Sequence, residues 1–144
     1  MITADHGEAF NDFGKNYWGH GSHFGDPLLH VPFILYWPGQ QPGVNTRLTS
    51  SIDVVPTLMQ EVLHCTNRPG DYTVGTSIMT APTRDWRYGS SYTVRGFVTP
   101  ERIYKITGSG QMKVFDKNLK RLWNEPIPSF YPTALEELSR FRRR

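Results

Sequence analysis

The residues best equipped for chemistry crowd into one end of this sequence. Four of its five histidines, His6, His20, His23 and His30, fall within the first thirty residues, beside Asp5, Glu8, Asp12 and Asp26. Carboxylate oxygens and neutral imidazole nitrogens are good ligands for zinc and tolerable ones for manganese or magnesium. The densest spot is Asp5-His6-Gly7, directly after the apolar run Met1-Ile2-Thr3-Ala4. Neighbouring side chains on a straight strand point to opposite faces, so Asp5 and His6 reach one ion only if the backbone turns there. Gly7 permits such a turn. The same three residues also suit a plain strand-end turn with a solvated acid and imidazole. Further on, "YWGHGSHF" sets His20 between two glycines, which lets backbone approach a bound anion. Chance clustering in a polar surface loop would produce the same pattern.

The elements around these residues read as an α/β layer. Met1–Ala4 is expected to be a buried strand whose end carries Asp5 and His6, the edge at which ligands bind in open α/β sheets. Residues 8–30 read as a long loop. The apolar run Val31 to Trp37, closed by Pro38-Gly39, suits a strand buried on both faces, and so a parallel neighbour of the first. "SSIDVVPTLMQEVL" predicts a helix capped by Ser51 or Asp53, with Pro56 tolerated in its first turn. Its stripe of Val55, Leu58, Met59, Val62 and Leu63 is expected to be core. Residues 66–90 read as a connector. "YTVRGFV", "RIYKIT" and "QMKVFD" then form an antiparallel meander, turning at Thr99-Pro100-Glu101 and Gly108-Ser109-Gly110. The tail "PTALEELSRFRRR" predicts a helix capped by Thr133, its basic end favoured by the helix dipole. The organisation is therefore 1–65 as α/β core, 66–90 as connector, and 91–144 as β subdomain with a terminal helix.

Composition narrows the function classes. A net charge of +3 over 144 residues is too small to argue for nucleic acid, and no nucleic-acid-binding motif is present. The single Cys65 excludes an intrachain disulfide and any all-cysteine metal site; a small buried hydrophobe is its expected role. No run approaches the roughly 18 apolar residues of a membrane span. An apolar strand at the first residue suggests a piece of a larger domain, whose open strand edge would invite self-association.

Several motifs in order carry a resemblance. "TADHGEAF", a histidine-glycine pair a dozen residues later, "HVPFILYWPG" and "SSIDVVPTL" resemble the sulfatase branch of the alkaline-phosphatase superfamily. "ITADHGE", "KNYWGH", "TLMQ" and the antiparallel tail through "VTP" are similar to the PbgA/YejM inner-membrane family in particular. The resemblance implies the C-terminal portion of an alkaline-phosphatase-like α/β sandwich, on the periplasmic face of a bacterial inner membrane, anchored upstream of this chain. It implies a divalent metal (zinc, magnesium, manganese or calcium) held by Asp5 and His6. It gives His20 contact with the substrate or leaving group, as a catalytic residue. Glu8 could orient His6 or be merely solvated. His23 has no secure counterpart, and His30 is expected to hydrogen-bond a loop carbonyl.

Two functions follow from that resemblance. One is a metal-dependent hydrolase or transferase acting on a sulfate or phosphate ester. The other is a catalytically silent regulator or sensor of outer-membrane lipid or lipopolysaccharide, engaging a lipid headgroup. In this superfamily a Thr, Ser or modified Cys attacks phosphorus or sulfur beside the metal. The matching residue would lie upstream of the Asp5-His6-Gly7 motif, so the chain alone is expected to be inactive.

Overall fold

The computed structural model describes residues 1–21, 23–79 and 84–141. It combines short helices with antiparallel sheets, an α/β arrangement that includes the meander and the terminal helix. Two compact units divide the chain. One joins Met1–Thr46 to Asp85–Asn124; the other joins Arg47–Arg84 to Glu125–Arg144.

The first unit carries β1 (Ile2–Thr3), β2 (Ala9–Phe10), β3 (Trp18–Gly19), the one-turn helix α1 (Asp26–Leu29) and β4 (Phe33–Ile34). It continues with β5 (Arg87–Ser90), β6 (Arg95–Val98), β7 (Ile103–Ile106), β8 (Met112–Phe115) and β9 (Arg121–Leu122). β1 and β4 do pair, but antiparallel, with Ile2 opposite Ile34 and Thr3 opposite Phe33. This corrects the parallel layout. The reason lies in the return path: Gly7 N–H donates to Leu28 O at 2.8 Å, so the chain doubles back beside itself like a wide hairpin. The 31–37 run is not buried on both faces either. Exposure alternates along it, with Ile34 and Tyr36 outward.

Strands β5 to β9 form one antiparallel sheet in sequence order. Its turns fall where proline, glycine and threonine predicted them. Thr99 N–H donates to Arg102 O, and Thr107 N–H to Gln111 O. Two strands of this sheet escaped the sequence reading. β5 lies inside the stretch read as connector, and β9 follows a turn in which Asp116 Oδ1 accepts the N–H groups of Asn118 and Lys120. One sheet face is covered by the segment after β3. Phe24 lies flat on Gly89 and Gly96, where a Cβ at Gly96 would come within 2.6 Å of its ring. Phe24, Val98, Ile103 and Leu119 make the core there, with Phe13, Tyr17 and Phe115 packed around them. Trp86 meets Phe97 edge-on at 5.4 Å, and Phe97 is fully buried.

The second unit holds α2 (Val54–Glu61), entered through a single 3-10 turn at Ser51–Asp53, and α3 (Tyr131–Ser139). Its buried centre is polar. The Asp53 carboxylate accepts from Ser50 N–H (2.9 Å), Thr76 N–H (3.0 Å) and the Arg84 guanidinium (2.5 Å). Thr57 Oγ1 donates to Asp53 O and accepts from Ile78 N–H. Asp53 thus supports the helix entry, but through Ser50 and Thr76 rather than as a side-chain cap on α2. The expected core stripe is turned outward: Val55, Leu58, Val62 and Leu63 are exposed, while Pro56 and Thr57 are buried. The Asp53 network sets this rotation, because its partners lie on the Thr57 side. Cys65 is half-buried rather than buried. Thr133 lies inside α3 and cannot cap it; the helix begins at Tyr131, with Pro132, whose fixed φ suits a first turn, as its second residue. Of the basic terminus, Arg142–Arg144 lie outside the described residues.

Removing the Asp53 carboxylate would take the anionic partner from the half-buried Arg84 guanidinium and the acceptor from the Ser50 and Thr76 N–H groups. Asp53→Ala is therefore expected to lower the unfolding free energy by about 3 kcal/mol, read from urea denaturation. A loss within the error of the midpoint would show that the network is dispensable.

Candidate functional site

The hairpin of β2 and β3 builds the site. Its register pairs Ala9 with Gly19 and Phe10 with Trp18, so Glu8 and His20 sit opposite each other one step beyond the ladder. Its loop is fixed by side chains: Asp12 accepts Phe10 N–H, and Asn11 Oδ1 accepts Asn16 N–H at 2.6 Å. The other strand of approach is β1, which ends just before Asp5 and His6. Gly7 then presses against the α1 backbone. A Cβ there would lie 2.0 Å from Pro27 O, so only glycine allows the approach.

These constraints bring His6, Glu8 and His20 together. One donor atom from each lies within 4.8 Å of the other two, and all three residues are exposed. The His6 and His20 rings are 4.5 Å apart. His20 Nδ1 donates to Glu8 Oε2 at 3.1 Å, and His6 Nδ1 donates to Gly7 O at 2.9 Å. A carboxylate and a carbonyl can only accept, so both rings carry their proton on Nδ1 and keep a lone pair on Nε2. Asp5 lies beside this set. Its Oδ2 is 3.7 Å from His6 Nε2, its Oδ1 accepts His6 N–H, and its side chain is almost fully exposed.

The residues singled out from the sequence therefore meet different fates. Asp5, His6 and His20 share one surface, but at the end of an antiparallel pair rather than the carboxyl edge of a parallel sheet. Glu8 orients His20, not His6. The signal that would have found this is the Asn- and Gly-rich turn between residues 11 and 16, which sets the hairpin register. His30 is exposed at the end of α1, where its backbone N–H donates to Asp26 O. Trp18 is exposed, whereas Tyr17 and Phe24 join the core.

The sequence of this region matches the sulfatase family model over residues 1–62. Inner membrane protein YejM of Salmonella typhimurium is 29% identical over 115 residues, covering 78% of this chain and 20% of that protein. YejM of Salmonella typhi matches over the same extent, and an uncharacterized protein of Haemophilus influenzae is 29% identical over 82% of this chain. The chain is similar to sulfatases over its first 62 residues and to YejM over most of its length. It spans about a fifth of the length of those relatives. The cluster of His6, Glu8 and His20 lies wholly within the sulfatase-matched segment. Among the described residues no helix is long and apolar enough to cross a membrane.

His23, three residues past the cluster, is built differently. It is buried between Phe13 and Tyr17, and its Nδ1 accepts Gly25 N–H at 3.0 Å. Burial pushes its pKa below the ordinary histidine value; Asp12 opposes that shift and Lys105 adds to it. The folded protein thus binds this proton less readily than the unfolded chain. Stability from His23 is complete above about pH 6.5, the unfolded value, and is lost as pH falls toward the folded one. Thermal melts should show the midpoint dropping between pH 7.5 and 5, with a shallower drop in His23→Gln. Equal slopes in the two proteins would rule this out.

Proposed function

We propose that this chain forms part of a membrane-anchored, sulfatase-like protein that handles sulfate or phosphate esters at a divalent metal. The observation that carries the reading is the meeting of His6, Glu8 and His20 donor atoms within 4.8 Å inside the sulfatase-matched segment. The donor set fits a metal. Two imidazole lone pairs on Nε2 and nearby carboxylates form the nitrogen and oxygen environment that zinc or manganese accepts. His6 and His20 would hold the ion through Nε2, the nitrogen left free by the Nδ1 bonds. Gly7 O and Glu8 fix the ring orientations from behind, as partners of metal-bound histidines commonly do. Asp5, beside His6 Nε2, supplies the anionic ligand that the family resemblance assigns to it. A bound metal would polarise the ester oxygen and neutralise developing negative charge. The similarity to inner membrane protein YejM supports a place at the bacterial inner membrane, and the proposal sets this chain on its periplasmic side.

Calorimetry with zinc and with manganese tests the site. His6→Ala and His20→Ala should each weaken binding at least about tenfold, no less than loss of an outer partner does. Asp5→Ala should cost more than Glu8→Ala if Asp5 ligates and Glu8 orients. Unchanged affinity in His6→Ala would overturn the metal reading. Hydrolysis of an aryl sulfate and an aryl phosphate by the membrane-anchored protein then separates the two functions: metal-dependent turnover supports catalysis, and metal binding without turnover supports a lipid-sensing regulator.

A further inference from the structure

The aromatic side chains of the β2–β3 hairpin divide into two sets. Phe13 and Tyr17 pack against the core. Phe10 and Trp18 stand directly opposite each other in the ladder, and they are 70% and 61% exposed. Cross-strand aromatic pairs stabilise a sheet by packing on each other. Here, among the described residues, no ring contact includes Phe10 or Trp18. Trp18 is nevertheless held in place. Its Nε1–H donates to Asn16 Oδ1 at 3.0 Å, and Asn16 N–H is itself held by Asn11 Oδ1. An exposed ring that is already ordered gives up little conformational freedom when something covers it.

The ladder also sets which way the pair faces. Ala9 is buried, so Glu8 and Phe10 on either side of it share the opposite, solvent-facing side. Trp18, opposite Phe10, lies on that side too. His20 reaches it through its bond to Glu8 Oε2. The aromatic pair is therefore two residues along the ladder from the Glu8–His20 pair, about 7 Å at the rise of a strand. A group one ring long, attached to an ester oxygen at the cluster, spans that distance. Single exposed apolar residues are ordinary on a protein surface. A facing pair, ordered in advance and continuous with a set of metal-ligand donors, has the make-up of a binding subsite.

We propose that Phe10 and Trp18 form the apolar subsite of the His6–Glu8–His20 centre and select monoesters whose alcohol carries an apolar group beside the ester oxygen. The inference rests on the metal reading of that centre and adds to it which esters are held. Every monoester shares the charged end, so discrimination between esters falls to the groups around the alcohol part.

The test titrates the zinc-loaded 144-residue chain with phenyl phosphate and with methyl phosphate, which differ only in the apolar group. Affinities come from calorimetry, and the Trp18 indole N–H resonance is followed by NMR. Phenyl phosphate should bind about tenfold more tightly, the gain from covering roughly 60 Å² of apolar surface. It alone should shift the Trp18 resonance. Trp18→Ala should bring phenyl phosphate down to the methyl phosphate level, Trp18→Phe should keep most of the preference, and zinc affinity should be unchanged in both. Phe10→Ala should remove part of the preference. The comparison of the two esters on the wild-type chain stands whether or not Trp18→Ala folds. Equal affinity for both esters there, or an undiminished preference in a folded Trp18→Ala, would overturn the proposal and leave the metal centre standing. If the wild-type chain binds no zinc, the metal reading falls and this proposal falls with it.

Discussion

The approach of Gly7 to the Pro27–Leu28 backbone is the constraint on which the first unit's site depends. A Cβ at that position would collide with Pro27 O, and the bond from Gly7 N–H to Leu28 O replaces what a side chain would have blocked. This tie fixes where β1 ends and so where Asp5 and His6 begin. It also closes the ends of the β2–β3 hairpin segment, which fixes the height at which Glu8 and His20 face each other. Loss of that contact would free His6 from His20 without touching either ring.

Three histidines in one stretch have had their protons placed by three different partners. A carbonyl holds His6, a carboxylate holds His20, and a backbone N–H holds His23. The first two partners accept, so those rings present a lone pair outward. The third donates, so His23 presents a proton inward. One residue type thus gives two exposed bases and one buried donor, and the difference arises from the partner that each ring meets.

Some of this was legible before any fold was known. Asp5, His6 and His20 were marked by residue type and by order of motifs. The meander turns were marked by Pro100 and by Gly108 and Gly110, because local turn chemistry needs no distant partner. What failed depended on non-local contacts. Apolar continuity from Val31 to Trp37 cannot tell a strand buried on both faces from one whose alternate residues face outward. The apolar period of α2 pointed to Val55 and Leu58, yet the helix is turned by the polar anchor of Asp53 and Thr57 on its other side. Nearness in sequence offered only His6 or solvent as the partner of Glu8, whereas the hairpin register supplies His20.

Each compact unit is assembled from two stretches separated in the chain, and the stretches of the two units alternate along it. During synthesis the hairpin with Phe24 emerges long before the strands that Phe24 covers, and it must stay unburied while Arg47–Arg84 of the other unit is made. Contacts that wait on distant chain close slowly. A ribosome-bound intermediate ending near Arg84 would therefore display Phe24, Phe13 and Tyr17 to solvent, as an attractive surface for a chaperone. It would also show why no single cut in the chain releases the first unit whole.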